Sequence, residues 1–216
     1  MMTTQEGTYM KKKVLSALIA TMVVGSVTAM AAPAEIEEGK WDVTLGTSFS
    51  PNSEYEGRDL DGDSGFYGNI TYGMDDNWAI QYDYSHYSYS LRGEEGKGDA
   101  SEVNILYKLS PNLNAYAGYV YYGEKYTYAG GSDGYHTDGI QVGLQGWYPL
   151  GEKVNLFGKI GIGNNNQIYE IGSTYKFADD WGLDLSYRWA EYKDFNDEDD
   201  GDYKFDGVRA GISTTF

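Results

Sequence analysis

Gly207-Val208-Arg209-Ala210-Gly211-Ile212-Ser213-Thr214-Thr215-Phe216 closes the chain. Val208, Ala210, Ile212, Thr214 and Phe216 alternate with Gly207, Arg209, Gly211, Ser213 and Thr215, which are small or polar. A period of two belongs to a β-strand with one apolar and one wet face. Running to a terminal aromatic, it predicts a stave of a barrel whose outside meets lipid and whose inside meets water.

Upstream, one design recurs three times: Met74-Asp75-Asp76-Asn77-Trp78, Leu109-Ser110-Pro111-Asn112-Leu113 and Phe177-Ala178-Asp179-Asp180-Trp181. Two large apolar residues flank three turn formers, and from each flank every second residue tends to be apolar, as in Ile70, Tyr72, Ile80 and Tyr82. These read as tight antiparallel hairpins. A looser fourth runs from Trp147 to Val154. Longer glycine-rich or acidic stretches at 51–63, 92–99, 127–136, 163–166 and 195–203 read as loops, which leaves about ten strands between 40 and 216. If 163–166 is not a hairpin, the count falls to eight. Short turns on one side and long loops on the other fit an up-and-down transmembrane barrel.

A secreted β-sandwich would alternate as well. Two belts of aromatics speak against it: Trp41, Trp78, Trp147, Trp181 and Phe216 near the short turns, with Tyr84, Tyr119, Tyr121 and Trp189 toward the other end. The faces opposite those belts carry Asn69, Gln81, Asp83, Asn104, Gln141, Gln145, Asp184 and Arg188, which suits a wet lumen.

Of 216 residues, 33 are Asp or Glu and 16 Lys or Arg, a formal net charge of −17 that disfavours nucleic acid. There is no cysteine, hence no disulfide, thiolate metal site or cysteine nucleophile. Residues 10–32, with Lys11, Lys12 and Lys13, an apolar run from Val14 to Val24 and Ala29-Met30-Ala31, read as a cleavable signal peptide. The apolar run is short of the roughly 20 residues of a spanning helix. Residues 1–9 carry no targeting logic, and Met10 is the expected start. The barrel is placed at 40–216.

The signal peptide, the segment Tyr175–Tyr192 (YKFADDWGLDLSYRWAEY) and the terminus ending in Phe216 together resemble the small outer-membrane β-barrel family, which includes opacity proteins and OmpA/OmpX-type barrels. The resemblance implies insertion in the outer membrane of a Gram-negative-type cell with both termini periplasmic. It also implies that Phe216 serves as the signal read by the barrel-assembly machinery, with outer-membrane lipid as surroundings.

In the lumen, counting outward from the turn at 178–180 sets Thr174 opposite Asp184 and Glu170 opposite Arg188, with Lys159 next to Glu170. Lys159, Glu170, Arg188 and Asp184 form the expected ionic cluster, read as a stabilising plug or alternatively as a charged constriction. Asp59, Asp61 and Asp63 are spaced like the start of a calcium loop but lack its later glycine and bidentate glutamate, a weak metal signal. His136, Asp138 and nearby Ser132 are the candidates for a rim hydrolase; His86 stands three residues beyond Asp83. No cofactor is expected. The expected function is non-enzymatic: envelope structure, surface interaction or adhesion, with a narrow channel for small cationic or neutral solutes as the alternative.

Overall fold

The computed structural model describes residues 35–216 apart from 56, 92, 93, 129 and 196–200. The expected signal peptide at 10–32 and the segment 1–9 lie outside the described residues. The strands are β1 (Trp41–Tyr55), β2 (Arg58–Gly62), β3 (Gly65–Gly73), β4 (Trp78–Leu91), β5 (Glu94–Ser110), β6 (Leu113–Tyr128), β7 (Gly131–Pro149), β8 (Val154–Gly163), β9 (Asn166–Ala178), β10 (Trp181–Tyr192) and β11 (Tyr203–Thr215). All pairings are antiparallel, and β1 pairs with β11 to close the ring. Trp41 N–H donates to the Phe216 carbonyl at 2.8 Å, and Phe216 N–H returns a bond to Trp41 O at 3.0 Å. Closure joins the last stave to the first, as β structure in hydrocarbon requires, while residues 131–140 of β7 rise past the end of β8 and pair with β6 alone.

Eleven strands make ten staves. β2 and β3 meet β1 in one continuous register, Tyr55 opposite Arg58 and Trp41 opposite Tyr72. Against β4 they slip by one residue: Gly62 faces Tyr89 while Tyr67 faces Ser85, so residues 63–66 oppose only 86–88. β2 and β3 are one stave interrupted by a bulge. The turn at Asn164 and Asn165 is a true hairpin, with Ile162 opposite Gln167, and the eight-strand alternative falls.

Short turns end the staves on one side. In the first of them Asp75 Oδ1 accepts from Asn77 N at 2.7 Å and Trp78 N at 2.9 Å, the side chain taking over the turn's backbone donors. On the other side, much of what reads as loop is strand. β4 and β5 stay paired to Leu91 and Glu94, and β6 and β7 to Tyr128 and Gly131, so 94–99 and, among the described residues, most of 127–136 belong to tall hairpins. Glycine causes the difference: a side chain on Gly96 would strike the Tyr89 ring at 2.2 Å, and one on Gly98 the Tyr122 hydroxyl at 2.2 Å. These glycines are spaces for tyrosines, not loop signals.

The outer wall is apolar and bare: Ile140, Leu45 and Val142 are 72%, 65% and 63% exposed. A continuous belt of this kind is a lipid-facing surface. Gln81, Asn104, Asn114, Gln141, Gln145 and Arg209 are buried inside.

Candidate functional site

Each inward position follows from strand parity, and together they fill the lumen in three layers. At the short-turn end, residues 35–40 fold into the mouth. Ile36 is buried against Ala79, Leu106 and Tyr116, and Lys108 Nζ donates to the Ile36 carbonyl at 3.0 Å while lying 3.6 Å from Glu35. Gly73 lets this segment in, because a Cβ there would meet Glu37 O at 1.8 Å.

The middle layer is ionic. Lys159, Glu170 and Arg188 stand in one row across β8, β9 and β10, as counted from the turns. Arg188 Nη1 lies 3.4 Å from Glu170 Oε2. The centre, however, is Glu102, which comes from β5 across the lumen. It accepts from Arg188 Nη2, from Lys159 Nζ at 3.0 Å and from Gln141 Nε2 at 3.0 Å. Lys159 also meets Asp83 at 2.8 Å. Sequence reading missed the parts of Glu102 and Asp83, since their partners are not on neighbouring strands. Asp184 is corrected out of the cluster: it is buried and accepts from Thr174, its neighbour across β9.

Toward the tall hairpins the layer is aromatic. Tyr122 stacks on Tyr192 with centroids 4.4 Å apart, and Tyr87 on Phe205 at 4.2 Å. Glu124 is buried among them, accepting from Tyr89 and from Tyr122 at 3.2 Å, and Tyr126 and Tyr203 share a hydrogen bond of 2.8 Å. Leu60 and Phe195 join the same cluster. Between the layers the lumen keeps small pockets, of about 60 Å³ beside Lys159, Glu170 and Arg209 and about 10 Å³ beside Arg188 and Phe205.

The girdle needs one correction. Trp41, Trp78, Trp181, Phe216 and Tyr119 are exposed on the outer wall, with Tyr84 and Trp189 partly so. Trp147 is 4% exposed and points inward opposite Phe157. It shares parity with Gln141 and Gln145, so the wet face and the tryptophan are on the same side of β7. Asp59 lies in β2 and Asp61 faces Ser90 of β4. Extended backbone spaces alternate carboxylates about 6.7 Å apart instead of turning them onto one point. Among the described residues no cluster of three or more metal-binding side chains forms. His136 stacks on Tyr121 at 5.9 Å and Asp138 accepts from Tyr119 at 2.7 Å, while Ser132 sits four residues from His136 toward the tip of β7.

The sequence pattern described as "Outer membrane protein beta-barrel domain" matches residues 18–216. No curated protein matches the chain. Among solved structures, the outer membrane protease OmpT of Escherichia coli is similar at 15% identity and TM-score 0.56, with 88% of this chain and 100% of that chain covered. Neisserial surface protein A is similar at 14% identity and TM-score 0.47 over 83% and 98% of the two chains. The attachment invasion locus protein Ail of Yersinia pestis is similar at 13% identity and TM-score 0.45 over 83% and 99%. At these identities the likeness is one of fold.

Proposed function

Because the chain belongs to the outer membrane protein β-barrel domain family, we propose that it is a closed outer-membrane barrel which works through its outer wall and its tall hairpins and does not conduct solutes. The observation that carries this reading is the three-layer filling of the lumen: Ile36 at one mouth, the Glu102 ion network in the middle, and the Tyr122–Tyr192 and Tyr87–Phe205 stacks at the other. In this reading the short turns face the periplasm, and Phe216 serves there as the assembly signal. The tall hairpins carry the acidic, tyrosine-rich surface outward, where envelope structure and surface interaction are the roles that fit.

Purified protein in a planar bilayer gives no steady single-channel steps if the reading is right; steady steps in the wild type overturn it. Orientation is read separately. The chain has no cysteine, so a cysteine placed at Gly131 is labelled by an impermeant maleimide on intact cells, and one placed at Asp179 is not.

A further inference from the structure

His86 and Ser88 stand two apart on β4, on the outward face shared with Ile80, Tyr82 and Tyr84. Directly across the ladder from His86 is Asp99 of β5. His86 Nδ1 lies 2.8 Å from Asp99 Oδ1, and Nε2 lies 3.2 Å from Ser88 Oγ. A carboxylate only accepts, so in the neutral ring a proton on Nδ1 bonds Asp99 and leaves Nε2 as the acceptor facing the serine hydroxyl. That is the order of contacts in a serine hydrolase triad, recognised by geometry and not by position in the chain.

The surroundings hold this arrangement. Tyr84 O–H also donates to Asp99, and Phe66 stacks on the His86 ring at 5.1 Å. Gly65 lets its own backbone approach, since a Cβ there would lie 2.0 Å from His86 O. The bulge between β2 and β3 falls opposite residues 86–88, and Asp63 N donates to Ser88 O at 2.8 Å. Bulges of this kind recur beside active sites because they turn backbone groups out of the ladder.

Position names the substrate class. Below the triad the outward side chains are Tyr84, Tyr82 and Ile80 on β4 and Val103 and Ile105 on β5; beside and above it they are Ser90, Lys97 and Glu95. The triad therefore sits where the apolar belt gives way to water, the level of lipid ester carbonyls. Lys97 is the cross-strand neighbour of Ser88, and Lys125 that of Lys97, both exposed. Two adjacent cations stand out on a chain of net charge −17 and suit an anionic head group.

We propose that Ser88, His86 and Asp99 form a hydrolase site on the outer wall that cleaves acyl esters of anionic lipids in the surrounding leaflet. Ser88 Oγ attacks the ester carbonyl carbon as its proton passes to His86 Nε2. The acyl carbon–oxygen bond breaks, and His86 returns the proton to the departing alkoxide. Water, deprotonated by His86, then attacks the acyl-serine, releasing the fatty acid and restoring Ser88. Asp99 acts through His86 as a positioning residue. This activity goes beyond the closed-barrel reading and sets aside the expectation of a non-enzymatic protein; it does not depend on whether the lumen conducts.

The test uses the mature chain folded in detergent, with heat-modifiable gel migration confirming each variant's barrel. A fluorophosphonate probe is expected to label the wild type at Ser88, mapped by mass spectrometry, and His86→Ala to lose that labelling. Fatty acid release is measured on phosphatidylglycerol vesicles and on lipid A micelles, two sources of the same ester chemistry. Ser88→Ala is expected to lower turnover about 10³-fold or more, and Asp99→Asn to lower kcat about 10²-fold or more with KM unchanged. The Lys97→Ala/Lys125→Ala double variant is expected to raise KM on phosphatidylglycerol relative to phosphatidylcholine. Release from either anionic lipid that needs Ser88 supports the site and says which lipid feeds it. No release from both, or equal release by Ser88→Ala, overturns it.

Discussion

Glu102 compensates two cations at once, Arg188 and Lys159, at a position 1% exposed. Removing one partner of a buried ion pair leaves the other's charge without compensation, at a cost of about 3–5 kcal/mol. Glu102→Gln keeps the shape and removes the charge, so urea unfolding in detergent micelles is expected to shift by that order, and by more than for Asp184→Asn. The row Lys159, Glu170 and Arg188 could be counted from a turn, because neighbouring strands share a register. Glu102 and Asp83 could not, since contacts across a lumen follow no register. Trp147 was legible and was misread: its parity with Gln141 and Gln145 already set it inside. Asp83, three residues before His86, has the opposite parity and points inward. The β4–β5 register, with Leu91 opposite Glu94, puts Asp99 beside His86 instead.

The elements hardest to read were the tall hairpins β4–β5 and β6–β7. Glycine marks a loop in most contexts, yet here Gly96 and Gly98 lie within β5 and make room for Tyr89 and Tyr122. Gly98→Val is therefore expected to force the Tyr122 ring out of its stack with Tyr192, costing about 1–3 kcal/mol. Near-ultraviolet circular dichroism should report the lost tyrosine packing with the barrel intact.

For the whole molecule, the three layers act in series along one lumen, and barriers in series each suffice to block flow. Ten strands enclose little more than the eight whose interior side chains just fill, so each layer reaches across the full width. Deleting residues 35–38 removes the Ile36 layer and leaves the ion network and the aromatic stacks in place. Trimming Tyr122 and Tyr192 to alanine removes part of the outer layer and leaves the other two. Either change alone is expected to leave a planar bilayer silent. Combining both and replacing the Glu102–Arg188 pair with alanine removes support from every level, and steady conductance steps are then expected. Had a single layer been the gate, its variant alone would conduct, and such a result would falsify the series arrangement. The ester hydrolysis assigned to Ser88 should be unchanged by deletion of residues 35–38, because Ile36 packs inside the short-turn mouth while His86, Ser88 and Asp99 lie on the outer face toward the tall end of β4 and β5. Measuring both on one preparation separates what the inside of the barrel does from what its outside does.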